Sequence, residues 1–214
     1  MKTLLFCLFI LTTTQYYLSQ EKNKNMKTFD IEKFNKNKDI GGDYIFKTSD
    51  YMKIRQFETF DSFVEEVQCL DAYIYTYNEY YKNGIIKTTL SFFYNDFILG
   101  IKKEYDKEGR LVKETDLDAP YYYSWEDVKK YIAQHGVAEN KIKEKAVRIS
   151  RWHVKEITRW ELEFHGTYQE AKGHLVITLD GKTGEELEVK LLTGKGVGKN
   201  GGTVAVYDTL YTKP

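Results

Sequence analysis

The sequence predicts an α+β protein, an antiparallel β-meander followed by a unit of one helix and an antiparallel sheet. Three observations predict it. Between Ala72 and Asp118, apolar and polar residues alternate with period two over four consecutive segments, the mark of half-buried antiparallel strands. Within that stretch Glu79-Tyr80-Tyr81-Lys82-Asn83-Gly84 returns 25 positions later as Glu104-Tyr105-Asp106-Lys107-Glu108-Gly109, keeping aromatic, basic and glycine positions. A capped helical stripe then begins at Ser124, and alternation resumes behind it.

Composition narrows the function. The 214 residues carry 32 basic and 32 acidic side chains, and this zero net charge argues against a nucleic-acid partner. Two prolines, 15 glycines and 18 tyrosines describe an ordered chain rich in strands with one wet face. Residues 1–20 place Lys2 before an apolar run from Leu4 to Leu11 and a polar threonine tract, the layout of a secretory signal. That run is shorter than the ~20 residues a membrane-spanning helix needs, so export to the periplasm or beyond is expected, with no integral membrane segment after cleavage. Cys7 lies inside this run, which leaves Cys69 without an intrachain disulfide partner and expected as a buried free thiol.

Taken in order, residues 21–43 read as a polar linker with a short amphipathic piece, Phe29, Ile31 and Phe34, that should dock elsewhere. The meander is expected over residues 44–120. Asp43–Lys47 and Lys53–Thr59 read as strands, whereas Asp61 to Cys69 admits a strand or a short helix. Tyr73, Tyr75 and Tyr77 should share one exposed face, Ile86, Thr88, Leu90, Phe92 and Tyr94 another, and Phe97, Leu99 and Ile101 a third. Asn83-Gly84, Asn95-Asp96 and Glu108-Gly109 punctuate these runs as tight turns, Asn83 and Gly84 both being residues that tolerate positive φ.

The turn pattern "aromatic, polar, polar, Gly, hydrophobic" at Gly84 and Gly109, with Gly100 in the return strand, resembles the MORN-variant repeats of exported bacterial proteins and of antitoxin components of toxin systems. The resemblance covers residues 79–118, about two units. It implies a β-meander and a binding role, and it brings no catalytic residues.

After Asp118-Ala119-Pro120, Ser124 stands at a helix N-cap with Asp127 in the reciprocal position, Trp125, Val128, Tyr131 and Ile132 form one stripe, and Gly136 ends the helix. Residues 137–145 read as a charged connector or second short helix, followed by alternating stretches at Val147–Val154, Trp160–Phe164, His174–Leu179 and Glu185–Leu192. Asp180, Thr183 and Gly184 set a tight hairpin turn. Residues 121–192 thereby resemble the PepSY domain, whose last hairpin carries Asp and Thr-Gly at these places, with a longer connector and an inserted loop from Gly166 to Gly173 as departures. That resemblance implies an exported module proposed to restrain peptidases. The tail, 193–214, reads as a glycine-rich loop and a terminal edge strand.

Other patterns point to no chemistry. Gly196 to Gly201 spells G-x-G-x-x-G but precedes a β-like run instead of a helix, and Gly181-Lys182-Thr183 lacks the first glycine of a phosphate loop because Val176 stands there. His165 and His174 would meet if their strands pair, yet a metal site wants three or four ligands. Glu161/Glu163 and Glu186/Glu188 each fall on one wet strand face by their spacing of two. No catalytic residue, metal or cofactor is expected. The expected function is non-catalytic binding of a protein, with immunity against a toxin as the first reading, restraint of a secreted peptidase as the second, and an enzyme built from His165, His174 or Cys69 as the third. The aromatic residues Tyr121, Tyr122, Tyr123 and Trp125 at the junction of the two halves are the candidates for packing or for partner recognition.

Overall fold

The computed structural model of the protein describes residues 27–48, 51–69, 72–93, 97–198 and 200–214. The signal segment 1–20 and the Asn95-Asp96 turn lie outside the described residues. Among the described residues two antiparallel sheets and three short helices make a mixed α+β fold, and neither sheet closes into a barrel. The first sheet is a seven-stranded meander in sequence order: β1 (Asp43–Lys47), β2 (Met52–Glu58), β3 (Ser62–Cys69), β4 (Ile74–Tyr81), β5 (Ile86–Phe93), β6 (Phe97–Tyr105) and β7 (Leu111–Asp116). Residues 62–69 are thus a strand and not a helix, paired on both sides with β2 and β4.

One face of this sheet is covered twice. At one end helix α1 (Ile31–Asn37), capped by Asp30 on Lys33 N–H, brings Phe29 and Phe34 onto Phe63, Tyr80 and Ile86. Phe34 is fully buried, and Phe29 stacks on Phe63 at 4.8 Å. The segment expected as a linker is, from Thr28 onward, part of this packing: Thr28 bridges Ile85 and Phe29 N–H donates to Gly84 C=O. At the other end Ile74, Phe93, Phe97 and Leu99 meet the second unit. A polar row lies between the two apolar clusters. There Gln56 and Asn78 donate to Glu65 at 2.8 and 3.5 Å, Tyr80 donates to it at 3.2 Å, and Thr89 donates to Asn78 at 3.0 Å. Burial and then the Glu65 carboxylate raise the pKa of the Tyr80 hydroxyl.

A bulge and the packing correct the expected faces. The register between β4 and β5 shifts at Glu79/Tyr80, so Ile86 pairs with Tyr80 on the covered face while Thr88, Leu90 and Phe92 lie on the opposite one. Tyr73, Tyr75 and Tyr77 are not an exposed set: Tyr75 is buried and stacks on Phe92, Tyr77 is half-buried against the same ring, and Tyr73 precedes the strand and packs on Phe93 and Trp125. Ile101 stays exposed although Phe97 is buried and Leu99 packs on the core. Cys69, expected buried, is exposed at the end of β3.

The second unit comprises α2 (Trp125–Gln134), α3 (Glu139–Lys143) and a sheet of order β12-β11-β10-β9-β8, with β8 at Val147–Val154, β9 at Ile157–Tyr168, β10 at Ala171–Asp180, β11 at Glu186–Val197 and β12 at Thr203–Thr212. The Ser124–Asp127 capping box is formed, and Gly136 follows the helix at φ +81. Val128, Tyr131 and Ile132 of α2 pack on Trp160, Leu162, Phe164, Leu175, Ile177 and Leu179. Gly166 and Gly173 are cross-strand partners within β9 and β10, so the expected inserted loop is a longer hairpin that turns at Gln169-Glu170. The glycine-rich tail is likewise strand up to Val197, because alternate glycines leave room for side chains from β12.

Candidate functional site

The aromatic junction is mostly interior. Trp125 has ring neighbours Phe93 at 5.0 Å, Tyr73 at 5.9 Å, Phe97 at 6.1 Å and Trp160 at 6.4 Å, so it joins both sheets. Tyr121 is buried beside Trp160. Tyr123 is half-buried: its N–H donates to Gly181 C=O, its C=O accepts from Trp160 Nε1 at 3.0 Å, and its hydroxyl donates to Asp127 C=O. Burial raises the pKa of both tyrosines. Tyr122 alone of the four faces solvent, at 79% exposure.

Arg151 of β8 organises this junction and carried no sequence signal. Its side chain is only 5% exposed, and Nη2 donates to Ile98 C=O at 2.7 Å, Leu117 C=O at 3.1 Å and Asp118 Oδ1 at 2.6 Å. The guanidinium lies 4.3 Å from the Tyr121 ring, 5.1 Å from Phe97 and 5.3 Å from Trp160. A charge so buried is tolerable because Nη2 meets three acceptors and the guanidinium lies against three rings.

The turn residues hold their positions by hydrogen bonds. Asp180 Oδ1 accepts from the backbone N–H groups of Lys182 and Thr183, and Gly184 N–H donates to Asp180 C=O. Burial raises the Asp180 carboxyl, but these amides and Arg159 outweigh it, leaving the pKa below its ordinary value. Gly184 has φ +74, and the Tyr123 ring occupies the place of a Cβ there. Gly84 and Gly109 close like turns: Tyr81 N–H donates to Ile85 C=O and Gly84 N–H to Tyr81 C=O, as Asp106 N–H does to Arg110 C=O and Gly109 N–H to Asp106 C=O. Only the glycines take positive φ, +83 and +76; Asn83 does not, and its side chain accepts from Ile85 N–H instead.

Ionisable groups meet in two places. His165 and His174 pair across β9 and β10 with rings 5.1 Å apart, and His174 Nε2 lies 2.8 Å from Glu163. Among the described residues no group of three or more His, Cys, Asp or Glu is placed to hold a metal ion. On the same outer face a groove of about 320 Å³ runs past Arg148, Ser150, Glu161, Thr178 and Lys190. Glu161 and Glu163 do share this face, but a bulge at Thr178/Leu179 turns Glu186 away from Glu188 and toward α2. There it accepts the hydroxyls of Tyr131 at 2.7 Å and Tyr168 at 2.8 Å. Burial, then Glu186, pushes Tyr168 up to about 12 and Tyr131 further. These groups satisfy one another and fasten the helix to the sheet.

The open main chain of β12 is different. β10 pairs with β11 only as far as Leu191, whereas β12 follows β11 out to Val197. The two strands therefore continue beyond their pairing with β10 as a hairpin arm, closed by the Gly198 N–H to Gly202 C=O hydrogen bond. Gly202 C=O accepts from Gly198 N–H and Val206 C=O from Thr193 Oγ1, so both point into the arm. By alternation the N–H and C=O groups of Thr203, Ala205 and Tyr207 point off the sheet. Val204, Val206 and Tyr207 are about two-fifths exposed and Val197 is 82% exposed. The other edge strands are charged: β1 ends in Asp43 and Lys47, β7 holds Lys113, Glu114 and Asp116, and β8 holds Arg148 and Arg151. Thr203 to Tyr207 carries no charge and no proline.

Comparison with family models, with curated proteins and with solved structures finds no match for this chain.

Proposed function

We propose that the protein is an exported, non-catalytic protein-binding protein that engages its partner by strand addition at β12. The observation that carries this reading is the uncharged open edge Thr203–Tyr207, set where β11 and β12 pair with each other beyond the last residue of β11 that pairs with β10. Strand addition draws affinity from main-chain hydrogen bonds and specificity from alternate side chains, and an edge without charge or proline leaves it unopposed. The likeness of residues 79–118 to MORN-variant repeats and of 121–192 to a PepSY domain supports a binding role, and the layout of residues 1–20 supports export. Immunity against a toxin remains the first reading. Restraint of a secreted peptidase is the second, favoured by the edge itself, since an extended strand is the form in which peptidases receive chains.

The test is capture from a periplasmic extract, identification of the bound protein, and titration of that protein against wild type and Ala205→Pro. The Ala205 N–H points off the sheet, so proline there removes a docking donor while the arm's own ladder is kept. A loss of tenfold or more in affinity at unchanged melting temperature is expected. Equal affinity of the two proteins would place the binding surface elsewhere.

A further inference from the structure

We infer that β12 also pairs with β12 of a second copy, in an antiparallel register centred on Ala205, so that the free protein stores its binding edge in a two-fold dimer. The sequence Thr203-Val204-Ala205-Val206-Tyr207 is nearly symmetric about its centre. A two-fold axis at Ala205 sets Ala205 against Ala205 of the second copy, Thr203 against Tyr207, and Val204 against Val206. The off-sheet groups fall at positions 203, 205 and 207, which are the positions such an axis brings together as hydrogen-bonded pairs. A centre at Val204 would pair 203 with 205 but carry 207 onto Gly201 of the turn, and a centre at Val206 would set Asp208 against Val204, so the Ala205 centre alone keeps all three off-sheet positions paired within the uncharged segment.

Side chains agree with the same register. Gly196 and Gly198 of β11 leave the space beside Val204 and Val206 empty of any side chain of their own, and a Cβ at Gly198 would sit 2.8 Å from Val204. The valines thus lie low over a glycine floor, and two copies join them into one four-valine patch. On the other face Thr203 meets Tyr207, a β-branched and aromatic pair of the kind that stabilises antiparallel strands. Asp208, the nearest charge on the strand, falls opposite Gly202 of the second copy, so like charges do not meet. The paired segment lies opposite Leu192–Val197, beyond the last β11 residue bound to β10, which leaves the two sheets clear of each other. A partner's strand and a second copy use the same groups and therefore compete; that competition rests on β12 being the binding edge, whereas the self-pairing does not.

The experiment uses the full chain with Cys7→Ser and Cys69→Ser. Ala205→Cys is oxidised under mild conditions, because Cα atoms of a hydrogen-bonded antiparallel pair stand ~5.5 Å apart, within disulfide reach. A covalent dimer is expected from Ala205→Cys and not from Val206→Cys, whose equivalents do not face each other in this register. Sedimentation velocity should show wild type shifting from monomer toward dimer as concentration rises, and Ala205→Pro remaining monomeric with an unchanged melting temperature. Wild type that stays monomeric throughout, cross-linking equal at both cysteines, or dimerisation that survives Ala205→Pro would each overturn the self-pairing. If wild type is monomeric and yet Ala205→Pro loses its captured partner, the dimer is refuted and strand addition stands.

Discussion

Replacing Phe97 by alanine should destabilise both sheets together. Phe97 belongs to β6 of the first sheet and is 5% exposed, yet its ring reaches Trp125, Arg151 and Trp160 of the second unit. Its ring meets Trp160 edge-on at 5.4 Å, Trp125 at 6.1 Å and the Arg151 guanidinium at 5.1 Å, in addition to stacking on Phe93 at 5.0 Å. Truncating a buried phenylalanine costs ~3–5 kcal/mol, the transfer term plus the cavity left behind. The upper part of that range applies here, because Arg151 would lose one of the rings that shield its charge while its carbonyl partners stay fixed. With ~2–4 °C lost per kcal/mol in a chain of this size, ~4–5 kcal/mol should lower the melting temperature by about 8 to 20 °C. All three tryptophans, Trp125, Trp152 and Trp160, lie in the second unit, so their fluorescence follows that unit while far-ultraviolet circular dichroism follows both. The two probes should shift by the same amount. Leu111→Ala, at an exposed position of β7, serves as the control and should change stability by no more than ~0.5 kcal/mol. Fluorescence that melts unchanged while circular dichroism splits into two transitions would refute a shared core.

Other perturbations test single features. Gly84→Val and Gly109→Val should each destabilise by at least ~1–2 kcal/mol through the left-handed backbone, and Gly84→Val more so, because a Cβ there lies 3.0 Å from Phe29 C=O; equal or unchanged melting of both variants would contradict this. Tyr131→Phe removes one of the two hydroxyls on Glu186 and should cost ~1.5–3 kcal/mol in denaturant unfolding, the range for a hydrogen bond to a charged group. The Tyr168 pKa is raised, so the stability it contributes is full below the unfolded value of ~10 and is lost as pH rises toward about 12; Tyr168→Phe should flatten the alkaline limb of a melting-temperature profile over that window. For Asp127, held down to about 2 first by the Ser124 hydroxyl, the sign reverses: its contribution is present above ~4 and is lost as pH falls toward 2, and Asp127→Asn should remove that part of the acid dependence.

What could be read from the sequence follows from how local each cause is. The α2 cap was legible because Ser124 and Asp127 act within one turn, and the strands of the meander were legible because alternation is a property of neighbouring residues. Bulges are not local in this sense. A single extra residue at Lys87 or Leu187 reverses every later side chain, which is why Ile86 left the face of Phe92 and why Glu186 left that of Glu188. Arg151 looked like any strand arginine, because nothing in residues 147–154 announces that Ile98, Leu117 and Asp118 will converge on it from another sheet. Phe29 and Phe34 were visible as an amphipathic piece, but their cover, Phe63 and Tyr80, lies at a sequence distance that no pattern rule spans.

The turn at the heart of the apparent repeat has a simpler physical origin. A three-residue hairpin loop whose last member takes positive φ occurs at Gly84 and Gly109, and its closing hydrogen bond occurs again outside the apparent repeat. Thr48 N–H donates to Met52 C=O with Tyr51 at φ +56, Gly198 N–H to Gly202 C=O with Gly201 at φ +76, and, between α1 and β1, Asp39 N–H to Asp43 C=O with Gly42 at φ +88. This loop matches the right-handed twist of the strands it joins, so a chain of antiparallel hairpins reaches for it wherever three residues are available. The glycine of the turn is therefore a property of hairpins in general and carries little of the likeness between residues 79–84 and 104–109. What remains specific to that pair is the contact between them: Tyr81, whose counterpart in the second unit is Asp106, donates its hydroxyl to Tyr105 C=O at 2.8 Å, so a residue the repeat does not keep ties one unit to the backbone of the next. Stacking of one unit on its neighbour is what a repeat has to supply beyond its turn. By the same reasoning the Gly201 turn owes nothing to phosphate binding: it is the loop that two long strands need in order to present Thr203–Tyr207 at the tip of an arm.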